Sequence, residues 1–248
     1  MSDRQWQSWG KQNPYYGVYS EDRFSKDNID QHRDEFFETG QKTVNTLIER
    51  ASRHFGPLTT GSALEFGSGV GRMTIPLAKR YARVTGVEIS PDMIAEAEKN
   101  CRFFQANNTT FVISDDELSK VSGTFDLVLS FIVFQHIVPE RGLPIMDRLL
   151  GMVAPGGLAI FQVSVRRPER SLPAQMKYGL RHNLPWLAAA VNYARGKPWS
   201  TLTMRMSEYD PIDVLNLYTK HEMGDVLLTE HFQSDVLTYH FLARKNSH

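Results

Sequence analysis

The stretch ALEFGSGVGR, residues 63–72, decides how this chain is read. A short apolar run, Ala63 to Phe66, opens into three glycines at alternate positions: Gly67, Gly69 and Gly71. Bare glycine backbone between a strand and a helix lets another group sit directly against N–H donors at the helix start. Glu65 stands two residues before the first glycine. A dinucleotide-binding loop would read G-x-G-x-x-G. Here the third glycine comes one residue early, and Arg72 takes the sixth position. A carboxylate at Glu65 is a poor neighbour for a pyrophosphate and a good one for a cation. A tight structural turn is the competing explanation for the glycines alone.

Working outward, the chain alternates between short apolar runs and helical periodicity. TVNTLIERA (43–51) places Val44, Leu47, Ile48 and Ala51 at helical spacing. MTIPLAKRY (73–81) reads as a helix in which Pro76, past the first turn, should introduce a bend. VTGVE (84–88) reads as a strand, and Ser90 and Pro91 then suit the N-cap and first position of a helix to about Asn100. Strands are expected at TFVI (110–113), FDLVLSF (125–131) and LAIFQVSV (158–165), with a helix over 139–153 and a turn at Pro155-Gly156-Gly157. Residues 210–222 suit a helix, while 225–232 and 235–245 are two strands joined closely enough to pair antiparallel. The expected fold is α/β: a doubly wound, Rossmann-like sheet, mostly parallel, with an antiparallel C-terminal strand pair.

Glu88 closes the second strand, 17 residues after Gly71. At that position a carboxylate can accept the hydroxyls of a ribose. A surface glutamate at a strand end is the plain alternative.

With these residues in place, the sequence resembles the class I S-adenosylmethionine-dependent methyltransferases over roughly residues 43–165, and more loosely through the terminal strands. The resemblance implies S-adenosylmethionine as cofactor. It implies that Glu65 faces the amino group of the methionine moiety, and that Gly67, Gly69 and Gly71 let the cofactor lie on the loop. VTGVEISPDMI resembles the second motif, implying Glu88 on the ribose hydroxyls and Ile89 and Met93 on the adenine faces. FVISDDELS resembles the segment whose aspartate reaches the adenine amino group; Asp115 fits best, with the adjacent Asp116 as the alternative. FDLVLSFIVFQHI resembles the fourth-strand motif, after which family members place groups near the transferred methyl. His136 is therefore the candidate general base, against a structural role at a helix start.

Two segments stand outside these motifs. Residues 6–24 carry Trp6, Trp9, Tyr15, Tyr16, Tyr19 and Phe24, too dense an aromatic set for a free tail. They suit an N-terminal arm, spanning about 1–42, that packs on the domain or closes over the site with Tyr15 or Tyr16 lining it. An insertion at about 166–209 follows the fifth strand. Between 166 and 205 it holds eight basic residues against a single acid, Glu169, for a net charge of +7. With Trp186, Leu187 and Val191 it suggests a helical lid favouring an anionic acceptor, a solvated basic face, or a membrane-surface contact.

Composition sets the outer bounds. The 248 residues are 41% apolar and 23% charged, which suits a single domain spanning 1–248. Formal net charge is zero, which disfavours nucleic-acid binding by overall electrostatics. Cys101 is the only cysteine, so no intrachain disulfide forms. The start, MSDRQWQSWGKQ, lacks the apolar core of a signal peptide, and the longest apolar run (127–134) is too short to span a bilayer, so a cytoplasmic protein is expected. No histidine pair has metal-ligand spacing, and no metal is expected. The expected activity is methyl transfer to a small-molecule acceptor, with oxygen favoured and nitrogen the alternative. A nicotinamide-dependent oxidoreductase and a non-catalytic scaffold are the competing classes.

Overall fold

The computed structural model describes residues 3–165, 206–233 and 236–247. The expected lid lies almost wholly outside the described residues. Seven strands form one sheet: β1 (Ser62–Phe66), β2 (Arg83–Glu88), β3 (Thr109–Ile113), β4 (Phe125–Ser130), β5 (Val153–Ser164), β6 (Met223–Gln233) and β7 (Val236–Lys245). Their order is β3-β2-β1-β4-β5-β7-β6. The first five run parallel, and β7 is antiparallel to both β5 and β6. The sequence expectation of a mostly parallel sheet with an antiparallel ending therefore holds. Strand order reverses around β1, between β2 on one side and β4 on the other. Such a switch point opens a crevice at the carboxyl ends of the strands.

The described helices are α1 (Asp3–Gln12), α2 (Pro14–Val18), α3 (Ile29–Phe55), α4 (Thr74–Ala78), α5 (Pro91–Phe103), α6 (Pro139–Gly151) and α7 (Pro211–Lys220). Three elements differ from the sequence reading. Helix α3 begins well before Thr43, because Phe36 and Phe37 extend its buried face toward the N-terminus. Helix α4 is a short piece in which Pro76 is the third residue. The N–H it lacks is one of the four that a helix start leaves unbonded, so no bend is forced. Strand β5 begins at Val153, and the Pro155-Gly156-Gly157 turn becomes an irregularity within it, marked by a register shift opposite Phe125 and Leu127 and by Gly156 at φ 75°.

The aromatic arm is part of the core. Trp9, Tyr15, Phe24, Phe36 and Phe37 are buried with Val70, Ile75 and Met93 in one cluster. Two glycines bring the arm close to the start of α5. A Cβ on Gly10 would lie 2.2 Å from Ser90 Oγ, and one on Gly17 would lie 3.3 Å from Met93 Cε.

Gly40 plays the same part for α3. A Cβ there would stand 2.0 Å from the backbone oxygen of Arg72, which follows the glycine loop. Glycine inside a helix costs about 1 kcal/mol relative to alanine. Here the rigid neighbour reverses that preference. Gly40→Ala should lower stability by about 1–3 kcal/mol in urea unfolding. Gly151→Ala, whose Cβ meets only His221 at an ordinary 3.5 Å, is the control and should be near neutral. Equal stability of the two variants would show that the Gly40 contact imposes no constraint.

Candidate cofactor pocket

A cavity lies at the carboxyl ends of β1, β2 and β4. Its floor is the turn that follows β1. Gly67, Gly69 and Gly71 all have positive φ (77°, 53° and 85°), which side-chain-bearing residues rarely adopt. Gly67 and Ser68 donate their N–H groups to Val87 O at 2.8 and 3.1 Å, tying the turn to β2. Gly67 and Gly69 line the cavity, whereas Gly71 does not and faces Ala97 of α5; what approaches the first two in the protein itself is side chain. A Cβ on Gly67 would meet Val133 Cγ2 at 2.3 Å, and one on Gly69 would meet Val18 Cγ2 at 2.4 Å.

Four acidic residues line the cavity, Asp3, Glu65, Glu88 and Asp116, and two of them, Glu65 and Glu88, are buried. Thr74 Oγ1 donates to Glu65 Oε2 at 2.5 Å. Burial pushes the Glu65 carboxyl up to about 8, against the opposing pull of that bond and of Arg72. Glu88 is held by backbone. Ile89 and Ser90 donate to its Oε1 at 2.9 Å each, and Gly69 donates to its Oε2 at 3.0 Å. Burial raises this carboxyl as well, while the three N–H groups oppose the rise. A carboxylate has about four lone-pair sites, so Oε2 keeps room for one further donor. Ile89 and Met93 complete this wall.

These residues fit a ligand with a cationic end and a hydroxyl-bearing sugar. The comparisons agree. Residues 63–157 match the methyltransferase domain family. Over this region the chain is similar to the class I S-adenosylmethionine-dependent methyltransferases. A demethylmenaquinone methyltransferase of Tropheryma whipplei (strain Twist) is 26% identical over 166 residues, covering 66% of each chain. A ubiquinone biosynthesis O-methyltransferase of Rhizobium leguminosarum bv. trifolii is 27% identical over 148 residues, covering 57% of each. Neither match reaches two thirds of the relative's length. The crystal structure of magnesium protoporphyrin IX methyltransferase from Synechocystis PCC 6803 with bound SAH shares the fold. It has a TM-score of 0.61 and 18% identity, covering 92% of this chain and 99% of that one.

The remaining methyltransferase candidates separate by position. Asp116 lines the cavity, together with Ser114. Asp115, favoured from sequence, does not. It is partly exposed and accepts from the Ser119 N–H and hydroxyl, closing a turn of its own. Tyr15 and Tyr16, expected to line the site, are placed elsewhere. Tyr15 is buried against Phe36 and donates to Glu96 and Asn100 on α5, at 2.8 and 2.9 Å. Tyr16 stacks on Trp9, with ring centroids 5.7 Å apart. The arm residues that do reach the cavity are Asp3, Trp6, Gly17 and Val18. A five-residue helix turns these neighbours to different sides, which a linear aromatic cluster does not reveal.

His136 is buried in a 3-10 turn, Phe134–His136, after β4. It does not line the cavity. Its ring meets Trp6, which does, edge to face at 5.2 Å. Gln135 Nε2 lies 3.2 Å from its Nε2.

Two arginines without a role in the sequence reading are on the cavity: Arg72 and Arg141. Arg141, on α6, bridges Asp3 of the arm and Asp116, with Nη1 2.6 Å from Asp3 and Nη2 2.6 Å from Asp116. It thus ties α1 to the cavity rim. A half-exposed ion network of this kind contributes modestly to global stability. Its effect should be local. Arg141→Ala should speed proteolytic cleavage within residues 3–12 several-fold while shifting the global unfolding midpoint little. An unchanged cleavage rate would show that α1 is held by its apolar contacts alone.

Proposed function

We propose that this protein transfers a methyl group from S-adenosylmethionine to a small-molecule acceptor, with oxygen the favoured atom. The convergence of Glu65, the glycine turn and Glu88 on one cavity at the switch point carries this reading. The cofactor supplies a methyl group on a positively charged sulfur, ready for in-line displacement by a nucleophile. The chain's own residues bind, orient and exclude water. Glu65 takes the amino group, and the open position on Glu88 Oε2 takes a ribose hydroxyl; a second hydroxyl would compete with Gly69 N–H. Gly67 and Gly69 form the bed, with Gly71 turning the chain behind them, Ile89 and Met93 face the adenine, and Asp116 rather than Asp115 is the acid proposed for the adenine amino group. The names of the two curated relatives favour small quinone-type acceptors, and one of them names oxygen.

His136 is the proposed base for an acceptor hydroxyl. Trp6 stands between this reading and the cavity, so the arm has to yield for the imidazole to reach an acceptor. An amine acceptor needs no such base, which keeps nitrogen as the alternative. The net +7 of residues 166–205 supports a preference for anionic acceptors. Among the described residues no helix is long and apolar enough to cross a membrane.

A screen of hydroxylated and amine acceptors, read as S-adenosylhomocysteine released, tests the activity. With a hydroxyl acceptor, His136→Ala should lower turnover about 10²- to 10⁴-fold and leave cofactor affinity unchanged. Unchanged turnover would assign His136 to packing.

Glu65 gives a pH test. Its folded-state value, about 8, lies above the usual carboxylate 4.5. Between those values the folded protein holds a proton that the unfolded chain has lost, so this group's contribution to stability falls as pH rises through the window. An ammonium partner requires the ionised form. Cofactor binding should therefore release a proton and strengthen from pH 6 to 8, by up to about tenfold per unit. Calorimetry in buffers of different ionisation enthalpy measures both effects, and Glu65→Gln should abolish them. A flat wild-type profile would remove Glu65 from the ammonium site.

A further inference from the structure

The turn that follows β4 forms one wall of the cavity. Phe131, Ile132 and Val133 all line it, and a Cβ on Gly67 would collide with Val133 Cγ2. Ile132 carries this turn in an unusual conformation. Its φ is 61°, in the left-handed region. For a β-branched residue that conformation is costly, and it persists only where the surrounding structure enforces it.

Gln162 supplies a hold. Regular pairing of β4 with β5 ends at Ser130, opposite Phe161. Two residues later the Ile132 N–H donates to Gln162 Oε1 at 2.9 Å, so a side chain of β5 takes over where the backbone ladder stops. The position otherwise suits an apolar residue. Leu158 and Ile160, at alternate positions on the same face of β5, are buried in the core, as is Leu242 opposite Ile160. Gln162 continues that face and is only 2% exposed. Its Nε2 is buried with no hydrogen-bond partner. A glutamine so placed is costly to bury. Of its two polar ends only the acceptor is engaged, and its partner is the strained residue of the cavity wall.

We propose that Gln162 is a positioning residue for the cofactor: from the neighbouring strand it holds the Ile132 turn, and so sets Ile132 on the cavity and Val133 against the glycine bed. This rests on the S-adenosylmethionine reading above. Without the hold, Ile132 is free to relax toward negative φ, which reorients residues 131–133 and displaces the wall from the bed.

Calorimetric binding of S-adenosylhomocysteine to the folded variants at pH 7 tests this without any turnover. Gln162→Met keeps the length of the side chain and removes the acceptor, and its Kd should rise about 5- to 20-fold. Gln162→Glu keeps an oxygen at the same reach. A carboxyl accepts an N–H whether ionised or held neutral by burial, and the donor it lacks was bonded to nothing, so its Kd should stay within about twofold of wild type. Ser164→Ala, two residues along β5, removes a buried hydroxyl that also has no hydrogen-bond partner and should leave the affinity unchanged. Wild-type affinity in Gln162→Met overturns the proposal. So does a Gln162→Glu variant as weak as Gln162→Met, which assigns the loss to packing, or an equal loss in Ser164→Ala, which assigns it to β5 as a whole. If Gln162→Met does not fold, Gln162→Asn, one methylene short of the bond, takes its place. Wild-type protein that does not bind S-adenosylhomocysteine sinks the cofactor reading itself, a result distinct from equal binding by every variant.

Discussion

Two carboxylates buried at adjacent strand ends are the constraint on which the site depends. Glu65 and Glu88 lie at the carboxyl ends of neighbouring parallel strands, and each is about 95% removed from solvent. A carboxylate in that position is costly unless it is bonded or faces a cation. The fold treats the two differently. Glu88 receives three backbone N–H groups, one of them from the turn after β1, so its charge is spread over the loop that it helps to shape. Glu65 receives one hydroxyl. A carboxylate so lightly bonded gains most from a cation delivered by a ligand, whereas Glu88 is better suited to hold geometry and accept one further neutral donor.

The rest of the architecture serves that corner. The parallel strands bring the two acids side by side, and α3 presses on the loop at Arg72 through a glycine that admits no side chain. The arm adds the roof. Its aromatic residues are mostly core, and the parts that reach the cavity are carried by short helices seated on the start of α5 through Gly10 and Gly17. Apolar packing fixes where the arm sits, and Arg141 fixes its first turn against Asp116.

The gathering of Glu65, Gly67, Gly69 and Glu88 on one cavity was legible in sequence because it is local. Strand, glycine turn, helix and the acid ending the next strand fall within residues 63–88, and their spacing translates directly into position. The paired terminal strands were legible for the same reason. What escaped depended on direction rather than spacing. Adjacent Asp115 and Asp116 point into different surroundings, one toward Ser119 and one toward Arg141. Tyr15 and Val18 share a five-residue helix, yet only Val18 faces the glycines. Arg72 looked like an interruption of a fingerprint. Its burial depends on Thr39 and Tyr19, more than thirty residues away in the chain, and no local pattern announces such a contact.

The glycines also couple the arm to the ligand. Residues bare enough to let a cofactor lie on the loop are equally bare to the protein, and Val18 and Val133 approach Gly69 and Gly67 closely. On the Cβ side of Gly69, a bound group and Val18 would claim the same volume. Val18 belongs to α2, whose neighbouring Gly17 rests on Met93, itself a proposed adenine contact. The segment that roofs the cavity and the surface that receives the cofactor therefore share atoms. Occupancy of the loop is bound to bias the position of the arm, and through Trp6 the exposure of His136.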